Sequence, residues 1–95
     1  MRPEHGGRLE LKLIDAAGVS ASYMLRTFSP EGDATSDVAL DSTSGALQLS
    51  EWQGTPPPAW LEAFARAVLR TILRSRVNEG EWPRRITRWR PAPNP

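Results

Sequence analysis

Leu9, Leu11 and Leu13 alternate with Glu10 and Lys12, the period-two pattern of a strand with one face buried and one face wet. Asp15-Ala16-Ala17-Gly18 closes the run as a turn in which Gly18 can take a positive φ. A second run extends from about Val19 to Phe28. Val19, Ala21, Tyr23 and Leu25 share one of its faces, and Met24, Arg26 and Phe28 share the other. The short connection predicts an antiparallel hairpin. Ser29-Pro30-Glu31-Gly32-Asp33 then reads as a loop. Val38 and Leu40 mark a third strand, Asp41-Ser42-Thr43-Ser44-Gly45 a turn, and Leu47 and Leu49 a fourth strand. Together these runs predict an antiparallel meander with one apolar face.

The period then changes. Thr55-Pro56-Pro57-Pro58 ends the sheet and opens a helix, because the N–H that proline lacks would have no partner in a first helical turn. Thr55 is the expected N-cap, with a cap two residues later as the alternative. The helix is predicted from about Pro57 to Val77. At 100° per residue, Trp60, Leu61, Phe64, Ala65, Val68, Leu69 and Ile72 fill one arc, and Leu73 lies at its margin. Asn78-Glu79-Gly80 supplies the stop. Such a helix is about 30 Å long and covers a four-stranded sheet. Its apolar arc is wider than one sheet face needs. The excess predicts a second contact, made either by a dimer partner or by the C-terminal tail.

In that tail, Arg85, Thr87 and Trp89 alternate with Ile86 and Arg88, and Pro83 and Pro91 flank the segment. This fits a fifth strand at a sheet edge. The fold class is therefore α+β, a four-stranded antiparallel meander packed against one long amphipathic helix, in the order ββββα(β). The predicted organisation is a flexible lead-in over 1–8, one domain over 9–90 and a disordered proline-rich tail over 91–95. Trp60 is assigned to the core, and Trp52 to a place beneath the first helical turn.

The chain has 95 residues and no cysteine, which excludes disulfides, thiolate metal sites and a cysteine nucleophile. No apolar run is long enough to span a membrane, and the first residues carry no apolar signal core. A cytoplasmic location is the default. Catalytic chemistry finds little support. His5 is the one histidine, in a segment with nothing to fix it. The serines Ser20, Ser22, Ser42, Ser44 and Ser50 have no base besides His5 and read as surface and turn residues. Asp33, Asp37 and Asp41 lack the alternate spacing of a calcium loop, and no glycine loop cradles phosphate. The expected protein is not an enzyme and takes no cofactor and no metal.

Charge alters this picture. Residues 1–62 carry four basic and nine acidic side chains, whereas residues 63–95 carry eight basic and two acidic ones. All the basic residues but Lys12 are arginines, and codon bias in a G- and C-rich genome accounts for part of that. Arg66, Arg70 and Arg74 recur every four residues on the helix face opposite the apolar arc. Only Arg66 has an acidic residue, Glu62, one turn before it. Complementing the helix dipole is the structural account of these arginines. Anion capture is the functional one, because they rise about 6 Å apiece, comparable to phosphate spacing along a nucleic-acid strand.

Arg84, Arg85, Arg88 and Arg90 follow, interleaved with Trp82 and Trp89, a mixture suited to gripping phosphates and stacking bases. The same tail can instead meet anionic lipid. It can also fold back, with Trp82 and Ile86 capping the core and Arg88 or Arg90 stacked on an indole. Two functional expectations follow. The first is a non-enzymatic interaction module that binds another protein or a second copy of itself, with an exposed apolar patch on helix or sheet. The second is a nucleic-acid-binding accessory domain in which the helix arginines and the tail form one basic surface. Neither uses a membrane.

Overall fold

The computed structural model describes residues 6–93. The expectations for His5 and for the extreme ends of the chain lie outside that range. The elements are β1 (Gly7–Ala17), β2 (Ser20–Ser29), β3 (Gly32–Asp41), β4 (Ala46–Leu49), β5 (Gln53–Gly54), α1 (Ala59–Glu79) and β6 (Arg85–Arg90). The sheet runs in the order β4-β3-β2-β1-β6, and β5 pairs with β3. Every pairing is antiparallel. The helix therefore carries the chain from one edge of the sheet to the other, where β6 joins β1.

Alternation along each strand decides which residues α1 covers. Leu11 is opposite Leu25, Tyr23 opposite Val38, and Leu40 opposite Leu47. These side chains join Leu9 and Ala21 against Ala65, Leu69, Ile72 and Leu73 of the helix in one core. Burial of this apolar surface is the main force holding helix to sheet. Trp60 is only half-buried, beside Gly7 at the start of the helix, and not a core residue. Trp52 lies where expected, its Nε1 donating to Glu62 Oε1 at 2.9 Å.

Several local expectations are corrected, among them the turn over Asp15–Gly18, which shrinks to Gly18-Val19 because β1 runs on to Ala17, paired to Ser20. The first strand begins at Gly7, so Gly7 and Arg8 belong to the sheet and not to a lead-in. A Cβ at Gly7 would fall 2.7 Å from a Leu61 methyl, so the helix can approach there only over glycine. The loop over 29–33 contracts to a Pro30-Glu31 turn, with Ser29 already paired to Gly32. The third strand is ten residues long, paired with β2 along its whole length, and its first half escapes the sequence pattern because its inward positions are the small Ala34 and Ser36. Ser36 Oγ donates to the Ser50 carbonyl at 2.9 Å, and Ser50 Oγ accepts from the Asp37 N–H at 2.9 Å, which bridges the break between β4 and β5.

Thr55 is not the N-cap. Its N–H donates to the Asp33 carbonyl at 2.9 Å, and Pro58 caps the helix without a side-chain hydrogen bond. The helix is accordingly displaced by about one residue pair along the chain. It stops at Gly80 as expected, with φ 78° and the Gly80 N–H donating to the Arg76 carbonyl. The excess apolar arc is covered by the tail: Trp82 and Ile86 pack against the core.

Candidate interaction surface

The predicted arginines and tryptophans do not gather on one surface. Arg66 Nε lies 3.4 Å from Glu62 Oε2. Arg70 and Arg74 are exposed on the side of α1 away from the sheet, with no ion pair among the described residues. Trp82 is half-buried, and its Nε1 donates to the Gly18 carbonyl at 3.1 Å. Arg76 donates to the same carbonyl at 3.0 Å and lies 5.6 Å from the Trp82 ring centroid. The cation on the indole is thus Arg76, not Arg88 or Arg90. Arg90 stands 5.7 Å from the Phe64 ring instead.

Strand alternation divides the tail between two faces. Ile86, Arg88 and Arg90 lie opposite Leu11, Leu9 and Gly7, on the helix side. Arg88 lines a cleft of about 200 Å³ between α1 and β6 with Val68, Thr71 and Ile86. Arg85, Thr87 and Trp89 lie opposite Lys12, Glu10 and Arg8, on the open side. Arg84 precedes the strand, and its carbonyl accepts from the Leu13 N–H at 2.8 Å. That bond sets the parity of the edge: Ile86, Arg88 and Arg90 point their backbone groups at β1, and those of Arg85, Thr87 and Trp89 point outward.

The open face has its own order. Reading across β6, β1, β2 and β3, one row is Trp89, Arg8, Phe28 and Asp33. The next is Thr87, Glu10, Arg26 and Thr35, and the third is Arg85, Lys12, Met24 and Asp37. Rows on one face are about 6.7 Å apart, and strands about 4.8 Å. Four cations from three strands therefore occupy a strip roughly 10 Å wide. A groove of about 340 Å³ runs through it, lined by Glu10, Lys12, Met24, Arg26, Arg85 and Thr87.

Phe28 organises this strip. It lies outside the core beneath the helix yet is only 7% exposed. Its cover is cationic: the guanidinium carbon of Arg8 stands 4.6 Å from the ring centroid and that of Arg26 5.1 Å. Electrostatic attraction to the ring face holds two flexible side chains flat on the sheet. Arg8 Nε is buried there without a hydrogen-bond partner. Arg8 also approaches Glu10 at 3.9 Å. Lys12, Arg26 and Arg85 form no ion pair among the described residues. Trp89 is 56% exposed, which makes it the uncovered aromatic surface of the strip.

The acidic early sequence is not spread evenly over this face. Asp33, Asp37 and Asp41 all sit on β3, next to Phe28, Met24 and Ser20. The open face is thus divided, mostly cationic over β6, β1 and β2, where Glu10 and, beyond the β1 bulge, Asp15 are the carboxylates among the described residues, and anionic over β3. Sequence reasoning missed Arg8, Lys12, Arg26, Phe28 and Thr87 as members of one surface. The shared face of Met24, Arg26 and Phe28 was visible in the alternation. The pairing of β6 with β1, which completes the set, leaves no local signal.

Among the described residues no group of histidine and carboxylate side chains could hold a metal ion, and no helix is long and apolar enough to cross a membrane. Tyr23 has its pKa raised to about 12, because burial disfavours the charged phenolate. Its hydroxyl donates to the Pro83 carbonyl at 2.5 Å. No known family model, curated protein or solved structure matches this chain.

Proposed function

We propose that this protein is a small non-enzymatic interaction module that holds an anionic partner on the open face of its sheet. One observation carries the reading: Arg8, Lys12, Arg26 and Arg85 gather from three strands into one strip with exposed Trp89 at its corner, Glu10 in its middle row and Asp15 just beyond its last row. Complementary charge steers encounter and fixes orientation. The acidic stripe on β3 confines a negatively charged partner to the cationic half.

A heparin column supplies the test, since its polyanion asks only where anions bind. Two triple variants remove the same charge: K12E/R26E/R85E on the sheet and R66E/R70E/R74E on the helix. The sheet variant is expected to elute at much lower salt than the wild type, and the helix variant close to it. A milder set, K12Q/R26Q/R85Q, shifts in the same direction if the reversed charges disturb folding. Retention that survives on the sheet variants but fails on the helix variant contradicts the proposal.

A further inference from the structure

We infer that the anionic partner is a single-stranded nucleic acid, laid along β6, β1 and β2 with a base stacked on Trp89. The inference rests on the open face being the binding surface and adds the chemistry of the occupant. Five features of the face select it. Trp89 presents an exposed indole within the sheet surface, and any base has a π-face to stack on it. Its row neighbour is Arg8, whose guanidinium is already held flat by Phe28. Lys12, Arg26 and Arg85 stand one or two rows further on, placed to meet successive phosphates.

Glu10 separates a nucleic acid from an acidic peptide. It stands in the middle row, between Thr87 and Arg26. A polyanionic peptide would bring carboxylates against it. A nucleic-acid strand turns its phosphates to one side and its bases to the other, and base amino groups donate to a carboxylate. Strip width separates one strand from two. The cationic zone is about 10 Å across, and Asp33 and Asp37 begin one strand beyond it, opposite Phe28 and Met24. The second backbone of a duplex would lie against those carboxylates.

The full chain is titrated with a labelled oligothymidylate, a duplex of equal length and polyglutamate, read by fluorescence anisotropy at low salt. Oligothymidylate is expected to bind more tightly than either competitor. Trp89→Ala should weaken it by roughly tenfold or more, and Trp89→Tyr should recover most of that loss. Trp89 is exposed on an edge strand, and unchanged thermal unfolding of both variants confirms their fold. Equal binding of polyglutamate, preference for the duplex, or indifference to Trp89→Ala overturns the inference. If heparin retention still depends on Lys12, Arg26 and Arg85, only the occupant is wrong. If it does not, the open-face reading has failed as well.

Discussion

Arg8 lies on the ring of Phe28 with its guanidinium carbon 4.6 Å from the centroid, and Arg26 shares the same ring at 5.1 Å. Phe28 therefore acts as a base plate for two cations and not as a core residue. Phe28→Leu keeps an apolar side chain and removes the ring. Two cation–π contacts at a partly exposed site amount to about 1–2 kcal/mol. Urea unfolding should show a loss of that size. Oligothymidylate affinity should fall too, because Arg8 and Arg26 lose their fixed placement.

Tyr23 and Pro83 make a second test. Burial raises the phenol pKa to about 12 from the ordinary 10.0. The folded state thus holds the proton more tightly than the unfolded state. This contribution is fully present below pH 10 and is lost as pH rises toward 12. Two pKa units correspond to about 3 kcal/mol at most. Tyr23→Phe should cost about 1 kcal/mol at neutral pH through the lost hydrogen bond to Pro83. It should also flatten the alkaline fall in stability. Denaturation midpoints measured from pH 8 to 12 check both.

Trp82 anchors the segment that leads into β6. Its ring packs on the core, and its Nε1 shares the Gly18 carbonyl with Arg76. Trp82→Ala should cost about 2–3 kcal/mol, below the range for a fully buried tryptophan because Trp82 is only half-buried. Ending the chain at Gly80 should be far worse. It removes the strand paired with β1 and leaves Leu9 and Leu11 beside an open edge. Thermal unfolding of the shortened chain should lose its sharp cooperative transition. Such a deletion cannot report on binding, whereas single substitutions on the open face can.

Gly80 takes φ 78° at the helix end, where a side chain is strained. Gly80→Ala should destabilise by about 1–2 kcal/mol, measurable as a shifted urea midpoint with unchanged slope.

Salt dependence tests the number of anionic contacts. Three or four phosphates held by Arg8, Lys12, Arg26 and Arg85 give a slope of log K against log salt of about −2 to −3 for a single strand. Removing Arg85 alone should lower the slope by about 0.7.

The strands and helix were legible wherever a side chain of clear polarity recurred. Leu9, Leu11 and Leu13 placed the first strand, and the helix arc from Leu61 to Ile72 placed the lid. Legibility failed where small residues sit inside. Ala34 and Ser36 hid the first half of β3, and Ser36 with Ser50 hid the junction that produces β5. Thr55 misled because a backbone bond to Asp33 draws it into the sheet edge instead of the cap. The surface was harder still. Trp89 and Arg85 were singled out by sequence, yet their partners Arg8, Lys12 and Arg26 lie more than sixty residues away along the sequence or on another strand, and only the β6–β1 register brings them together. The arginines of the helix, equally prominent in sequence, face elsewhere.

A two-dimensional amide NMR titration of the full chain with oligothymidylate tests the open face most directly. Resonances of Arg8, Arg26 and Thr87 and the indole N–H of Trp89 should shift together, while Arg70 and Arg74 on α1 stay in place. Shifts centred on the helix arginines, or an unmoved Trp89 indole at saturation, would contradict the account.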